Sequence, residues 1–170
     1  LEALVNAAID TYGRLDILVN NAGGFPPGPA LQTSTADFVN AFRFNVGTAF
    51  ALSRIAAPRM VATAGSGAII NISSVAGNFP APGFAAYGTA KGALSLLTQE
   101  LAQEFAPKIR VNAIAVGSTR TESLLTVLQN PEIERRMIEL TPLNRLGEVE
   151  DVAACALYLA SPAAAYVTGD

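Results

Sequence analysis

The sequence predicts an α/β domain built on an open, doubly wound parallel sheet. Three observations carry this. Short continuous apolar runs at residues 15–19, 67–72 and 109–115 have the length and composition of strands buried on both faces. Helical patterns of roughly 20 residues separate them, the spacing of right-handed βαβ crossovers and not of hairpins. Charged residues make up only 15% of the chain against 51% apolar, with alanine and glycine abundant, as suits strands covered on both sides by closely packed helices. A length of 170 residues fits one domain, and no internal repeat, low-complexity segment or domain-scale linker divides it.

Leu4, Val5, Ala8 and Ile9 recur at helical spacing over residues 1–12, and Gly13 follows as a stop. The first strand, 15–19, runs into the turn Asn20-Asn21-Ala22-Gly23, and the Gly/Pro-rich stretch 23–29 is a loop. Ser34-Thr35 with Asp37 opens one long helix predicted over 37–60. Asn45 lies inside it, where an amide competes with the backbone. Solvent exposure would explain it cheaply, but the neighbours Phe44, Val46 and Phe50 point to burial, and a buried amide needs partners. After the strand 67–72 come a loop over 77–83, a second long helix over 85–105 and the strand 109–115. Residues 121–140 read as one or two helices broken at Asn130-Pro131, since proline cannot continue a helix interior. The last helix is predicted over 148–159, and Cys155, in its apolar run, reads as a small core residue rather than a nucleophile.

Several function classes are excluded at this level. A net charge of −3 with no basic cluster argues against nucleic acid or an anionic membrane as partner. No apolar stretch approaches the ~20 residues of a membrane span, and no signal peptide is visible. One cysteine cannot form an internal disulfide, which fits a reducing, cytoplasmic setting. The absence of histidine removes the Ser-His-Asp triad, the Cys-His dyad and every His-ligated metal site, so no metal is expected. An acid/base catalyst must then be Tyr, Lys, Asp, Glu or Cys155. In open α/β sheets ligands bind beyond the carboxyl ends of the strands, which directs attention to residues 20–23, 73–77 and 116–121.

Tyr87 and Lys91 lie four apart near the start of the second long helix, on one face and about one turn from each other. Such a pair occurs on many solvated helix surfaces. It can also act without histidine, because an adjacent ammonium stabilises a phenolate, and general acid/base help contributes a factor of roughly 10² to 10⁴. Ser73 and Ser74 end the preceding strand at the ligand-facing rim. A hydroxyl there either donates to an oxygen that develops negative charge or caps a turn.

Taken together, Asn20-Asn21-Ala22-Gly23, Asn45, Ser74, Tyr87 and Lys91 resemble the short-chain dehydrogenase/reductase family. The order of the pieces, the Ser74 to Tyr87 spacing, Pro142-Leu143 with Arg145-Leu146-Gly147, and Tyr166-Val167-Thr168-Gly169 extend the likeness along the whole chain. The resemblance implies a Rossmann-type sheet and an NAD(P)-dependent oxidoreductase that interconverts a secondary alcohol and a ketone by hydride transfer. It implies Tyr87 as the acid/base and Lys91 as the cation that stabilises its phenolate and contacts the nicotinamide ribose. Ser74 would polarise the substrate oxygen, and Asn45 would hold a water in a relay through Lys91, with Ser73 structural. Asn21, Ala22 and Gly23 would flank the adenosine side of the cofactor, and Gly117, Thr119 and Thr121 the nicotinamide. NAD or NADP is implied without a choice between them, which in this family follows from an acidic or a basic residue after the second strand.

The sequence departs from the family pattern in three places. No strand with a Gly-rich phosphate turn opens it. Gly65-Ser66-Gly67 is the local candidate, but it precedes a strand, whereas a pyrophosphate cradle leads from strand into helix. Roughly 70 to 80 residues of the pattern, about two βα units, are absent upstream, and the chain stops before the last strand. The 170 residues are therefore expected to be the C-terminal two-thirds of one domain, unstable or aggregating when expressed alone. Val116 stands where the family usually has proline, which loosens the nicotinamide turn.

The substrate is expected against residues 24–30, 77–86 and 118–140, the last acting as a lid. Phe25, Phe79, Phe84, Leu124 and Leu125 make these loops apolar, which suits a bulky hydrophobic alcohol or ketone. Within the family the stretch 116–147 is most similar to bacterial 7α-hydroxysteroid dehydrogenases. A 3-oxoacyl thioester reductase and a sugar or polyol dehydrogenase stay open, as does a non-catalytic nucleotide-binding scaffold on the same fold. By the same resemblance the protein is a dimer or tetramer joined through the two long helices.

Overall fold

Three parallel strands, β1 (Ile17–Asn20), β2 (Gly67–Ser74) and β3 (Ile109–Val116), lie side by side in the order β1-β2-β3. They are seen in a computed structural model that describes residues 1–170 apart from the side chains of Ser123 and Thr126. Asn20 pairs with Asn71 and Ser74 with Val116, so β2 and β3 end level at one rim. The first strand starts two residues later than the apolar run. Leu15 N–H goes to Thr63 Oγ1 at 3.1 Å, which takes it out of the ladder, and the first contact with β2 is made by Asp16 O, which accepts Ala68 N–H at 3.0 Å.

Successive strand residues point to opposite faces. On one face Leu18, Ile69, Ile109 and Val111 meet Val5 of α1 (Glu2–Tyr12), Leu52, Ala56 and Met60 of α3 (Thr48–Ala64), and Leu101 and Ala102 of α4 (Ala85–Phe105). On the other face Ile70, Ile72 and Ile114 meet Ala156, Leu159 and Ala160 of α7 (Val149–Ala160), with Ala164 beyond it. Helices thus cover both faces, and the fully buried Ile69, Ile70, Val111 and Met60 each contribute about 1.5–3 kcal/mol. Residues 169–170 run along the other edge of β3, where Gly169 N–H donates to Val111 O and Ala113 N–H to Asp170 O.

The long helix expected over 37–60 is present as a continuous helical stretch from Thr35 to Ala64, with one π-turn inside it that separates two α-helical parts. α2 (Thr35–Phe42) opens on a capping box, with Ser34 Oγ accepting Asp37 N–H and the Asp37 carboxylate accepting Ser34 N–H. A π-turn over Arg43–Gly47 then joins it to α3, with Thr48 N–H reaching back five residues to Arg43 O. Asn45 sits at the middle of this turn, 1% exposed, as expected. The neighbours used to infer its burial were poor guides, because Phe44 and Phe50 are both nearly half exposed.

The segment expected to act as a lid forms α5 (Glu122–Leu128) and α6 (Pro131–Glu139), divided at Asn130, whose side chain accepts Glu132 N–H. Helix α7 turns Ala156, Leu159 and Ala160 to the sheet, which leaves Cys155 on the outside: it is exposed, not a core residue. Gly65 ends α3 in the left-handed region, φ 78°, and a Cβ on Gly67 would lie 2.7 Å from Met60 Sδ. Both glycines serve turn and packing. Among the described residues no helix is long and apolar enough to cross a membrane, and no cluster of three metal-ligating side chains occurs.

Candidate active site

The loops beyond the three strand ends enclose a cleft of about 760 Å³, within the range of small-molecule sites. Asn21, Gly23, Ser74, Tyr87, Lys91, Gly117, Thr119 and Thr121 all line it. Ala22 and Asn45 do not. Ala22 is exposed beside the cleft, and Asn45 lies behind its wall. Of the apolar residues expected there, Phe79, Phe84 and Leu124 line the cleft while Phe25 and Leu125 lie outside the lining.

Helix α4 brings Tyr87 and Lys91 to the cleft because glycines let it sit directly on the turn after β2. A Cβ on Gly77 would come within 2.6 Å of Gly92 N and 2.8 Å of Lys91 C, and one on Gly88 within 2.7 Å of Ala76 O. Backbone rests on backbone here. Ser74 Oγ accepts Ala76 N–H at 3.2 Å and so caps the same turn, which leaves its hydroxyl proton to be donated into the cleft. The capping and substrate-facing readings of this serine are therefore compatible.

Lys91 is held at both ends. Its Nζ donates to Ile72 O at 2.7 Å, and its backbone carbonyl accepts Ser73 Oγ at 2.9 Å and Ser95 Oγ at 3.2 Å. The ammonium lies 5.7 Å from the centre of the Tyr87 ring. Burial at 4% exposure disfavours its charge and pushes its pKa down to about 8. Ser73 is buried and spends its hydroxyl on Lys91 O and Ser95, a structural role. Ile72 was not singled out in the sequence, since it acts through a carbonyl that every residue carries.

Asn45 clamps the turn after β1. Its Oδ1 accepts Gly24 N–H at 2.9 Å, and its Nδ2 donates to Gly24 O at 3.0 Å and to Ala41 O at 2.9 Å. A Cβ on Gly23 would meet Asn45 Oδ1 at 2.7 Å and Lys91 Nζ at 3.0 Å, so a side chain there would displace the amide or the ammonium. This makes a smooth backbone cradle beside an ammonium with two protons left to donate. With Thr119 and Thr121 on the lining, the donor set suits a ribose and a carboxamide, the nicotinamide half of a dinucleotide.

Sheet order, helices on both faces and a cleft at the strand ends define a Rossmann-type α/β protein. A sequence model of a family, described as enoyl-(acyl carrier protein) reductase, matches residues 1–170. An uncharacterized oxidoreductase of Mycobacterium tuberculosis (strain CDC 1551 / Oshkosh) is 51% identical over 98% of this chain and 63% of its own length. The 7α-hydroxysteroid dehydrogenase of Escherichia coli (strain K12) is 43% identical over 99% of this chain and 66% of its own. Among solved structures, a 7α-hydroxysteroid dehydrogenase complexed with NADH and 7-oxo glycochenodeoxycholic acid superposes with a TM-score of 0.93 at 43% identity, covering 99% of this chain and 65% of that one. The chain belongs to the short-chain dehydrogenase/reductase family. It spans just under two thirds of the length of these relatives.

Proposed function

We propose that the protein is an NAD(P)-dependent oxidoreductase that interconverts a secondary alcohol and a ketone, with Tyr87 as the acid/base. One observation carries this: Ser74, Tyr87 and Lys91 converge on one cleft at the strand ends of a chain without histidine. When bound, the nicotinamide would supply hydride to the carbonyl carbon or accept it from the alcohol. Asn21, Ala22, Gly23, Gly117, Thr119 and Thr121 would hold the cofactor, with Lys91 on its ribose. The Tyr87 hydroxyl gives its proton to the ketone oxygen, and Ser74 donates a hydrogen bond to that oxygen as charge builds on it. Lys91 stabilises the resulting phenolate. Asn45 fixes the turn that carries Gly23 and Gly24, and by the family likeness it would hold a water in a proton relay through Lys91.

The apolar lining of Phe79, Phe84, Leu124, Val127 and Met137 favours a bulky hydrophobic substrate, of which a hydroxysteroid is the leading candidate. The relative solved with a 7-oxo bile acid supports that class. The setting proposed is reducing and cytoplasmic, in keeping with a single cysteine. Copies are proposed to associate through α2–α3 and α4, where Phe38, Val39, Phe44, Phe50 and Leu96 leave apolar surface exposed.

The test uses the full-length protein with NADH or NADPH and a panel holding a 7-oxo steroid, a 3-oxoacyl thioester and a ketose. Turnover is expected on the steroid, and Tyr87→Phe is expected to abolish it while leaving cofactor affinity unchanged. Retained turnover in Tyr87→Phe overturns the assignment.

A further inference from the structure

The two helices that roof the cleft are weakly joined to the body. α5 and α6 pack chiefly on each other, yet Leu124, Val127 and Met137 from them line the cleft. Their root is held firmly. Arg120 N–H donates to Gly147 O at 2.8 Å, Gly147 N–H to Ser118 O at 2.9 Å, and Thr119 forms a short parallel bridge with Gly147. The Gly147 turn is in turn bound to α7 by two Arg145–Asp151 hydrogen bonds of 2.6 and 2.9 Å. Thr119 and Thr121 line the cleft on either side of Arg120 in sequence. Arg120 itself stays out of the lining. Its Nη2 lies 2.6 Å from Glu134 Oε1 on α6 and its Nε 3.4 Å from Glu148 Oε1 at the cap of α7.

We propose that Arg120 is a positioning residue that fastens α6 to the root of its own lid through Glu134, and thereby sets the cleft width at Met137. Glu134 and Met137 are three apart on α6, neighbours on the helix surface, so a tether at one holds the other. Glu148 keeps the guanidinium on the body side, which makes Arg120 a bridge between the α5–α6 pair, packed chiefly on itself, and the start of α7. The pair is about a third exposed and correspondingly weak. Weakness suits a fastening that opens and closes as substrate passes, because a lid needs only a few-fold shift in population.

The kinetic arm of the test rests on the alcohol–ketone reading, while the exchange arm does not. In the full-length protein without ligand, Glu134→Ala and Arg120→Gln are expected to speed amide hydrogen exchange over residues 122–139 by about two- to five-fold. In the same variants KM for a 7-oxo steroid rises by a similar factor, with kcat and the Kd for NADH unchanged. Because the fastening is ionic, 0.5 M salt is expected to speed exchange in the unsubstituted protein and to leave Glu134→Ala unaffected. Unaltered exchange in the variants, or altered exchange with unaltered KM, overturns the proposal. If the unsubstituted protein reduces no carbonyl, the alcohol–ketone reading fails and the exchange arm alone decides whether Arg120 fastens α6.

Discussion

Lys91 carries the most unusual electrostatic position in the site, an ammonium that is almost fully buried with a single carbonyl, Ile72 O, as its hydrogen-bond partner. Its pKa of about 8 in the folded protein lies below the 10.5 of an exposed lysine, so the folded state loses its proton first as pH rises. Between those two values the unfolded chain binds more protons, and stability therefore increases with pH across that window. At pH 7 the lysine is charged in both states and the whole penalty stands, about 3 kcal/mol. Lys91→Met is expected to raise the urea midpoint at pH 7 and to flatten the rise in stability between pH 8 and 10, while turnover drops by about 10²-fold or more. Other titrating groups are common to both proteins, so the difference between their urea midpoints at pH 7 and 9.5 isolates Lys91. Equal differences at the two pH values would show that its burial carries no such cost.

The seating of α4 on the turn after β2 sets where Ser74 stands relative to Tyr87 and Lys91. Three glycines make this contact, and at Gly77 the nearest atoms are backbone, which cannot rotate away from an added methyl. Gly77→Ala must push the turn and the helix apart, at about 1–3 kcal/mol for an overpacked contact. The expected result is a lowered thermal midpoint together with a lowered kcat and an unchanged Kd for NADH. A lowered midpoint with unchanged kcat would mean that the spacing is set elsewhere. The π-turn at Arg43–Gly47 does comparable work on the opposite wall, because the extra residue lets Asn45 bond to Ala41 O of its own helix and to both backbone groups of Gly24.

Across the molecule, apolar surface remains on α2, the π-turn, α3 and α4, with Phe44, Phe50 and Leu96 each about half exposed. Patches of this kind mark interaction surfaces, and the proposed partner is a second copy of the same protein. Light scattering on the full-length protein is expected to give a dimer or tetramer, and Phe44→Glu to shift it toward monomer. A monomer before substitution would refute the association. The chain exposes Ile17 and Val19 as well, on the face of β1 opposite Leu18. The helix that covers Ile70 and Ile114, α7, lies at the β2–β3 side of the sheet and leaves that part of β1 open.

Much of this architecture was legible in the pattern of residues. Strand and helix order, the helix start at Ser34, the break at Asn130-Pro131 and the cleft-lining Ser74, Tyr87 and Lys91 all follow from periodicity, spacing and family likeness, because those signals are local and repeat along the chain. Other features were not legible. The π-turn at residues 43–47 accompanies the bonds of Asn45 to Gly24, twenty-one residues away, and a helical pattern carries no trace of them. The outward placement of Cys155 depends on which stripe of a uniformly apolar helix meets the sheet. Ile72 O and Arg120 act through contacts made across 19 residues and across 14 and 28 residues respectively. Identity and spacing establish which groups are available to do chemistry, and long-range packing, which alone brings distant backbone and charge together, establishes how those groups are held.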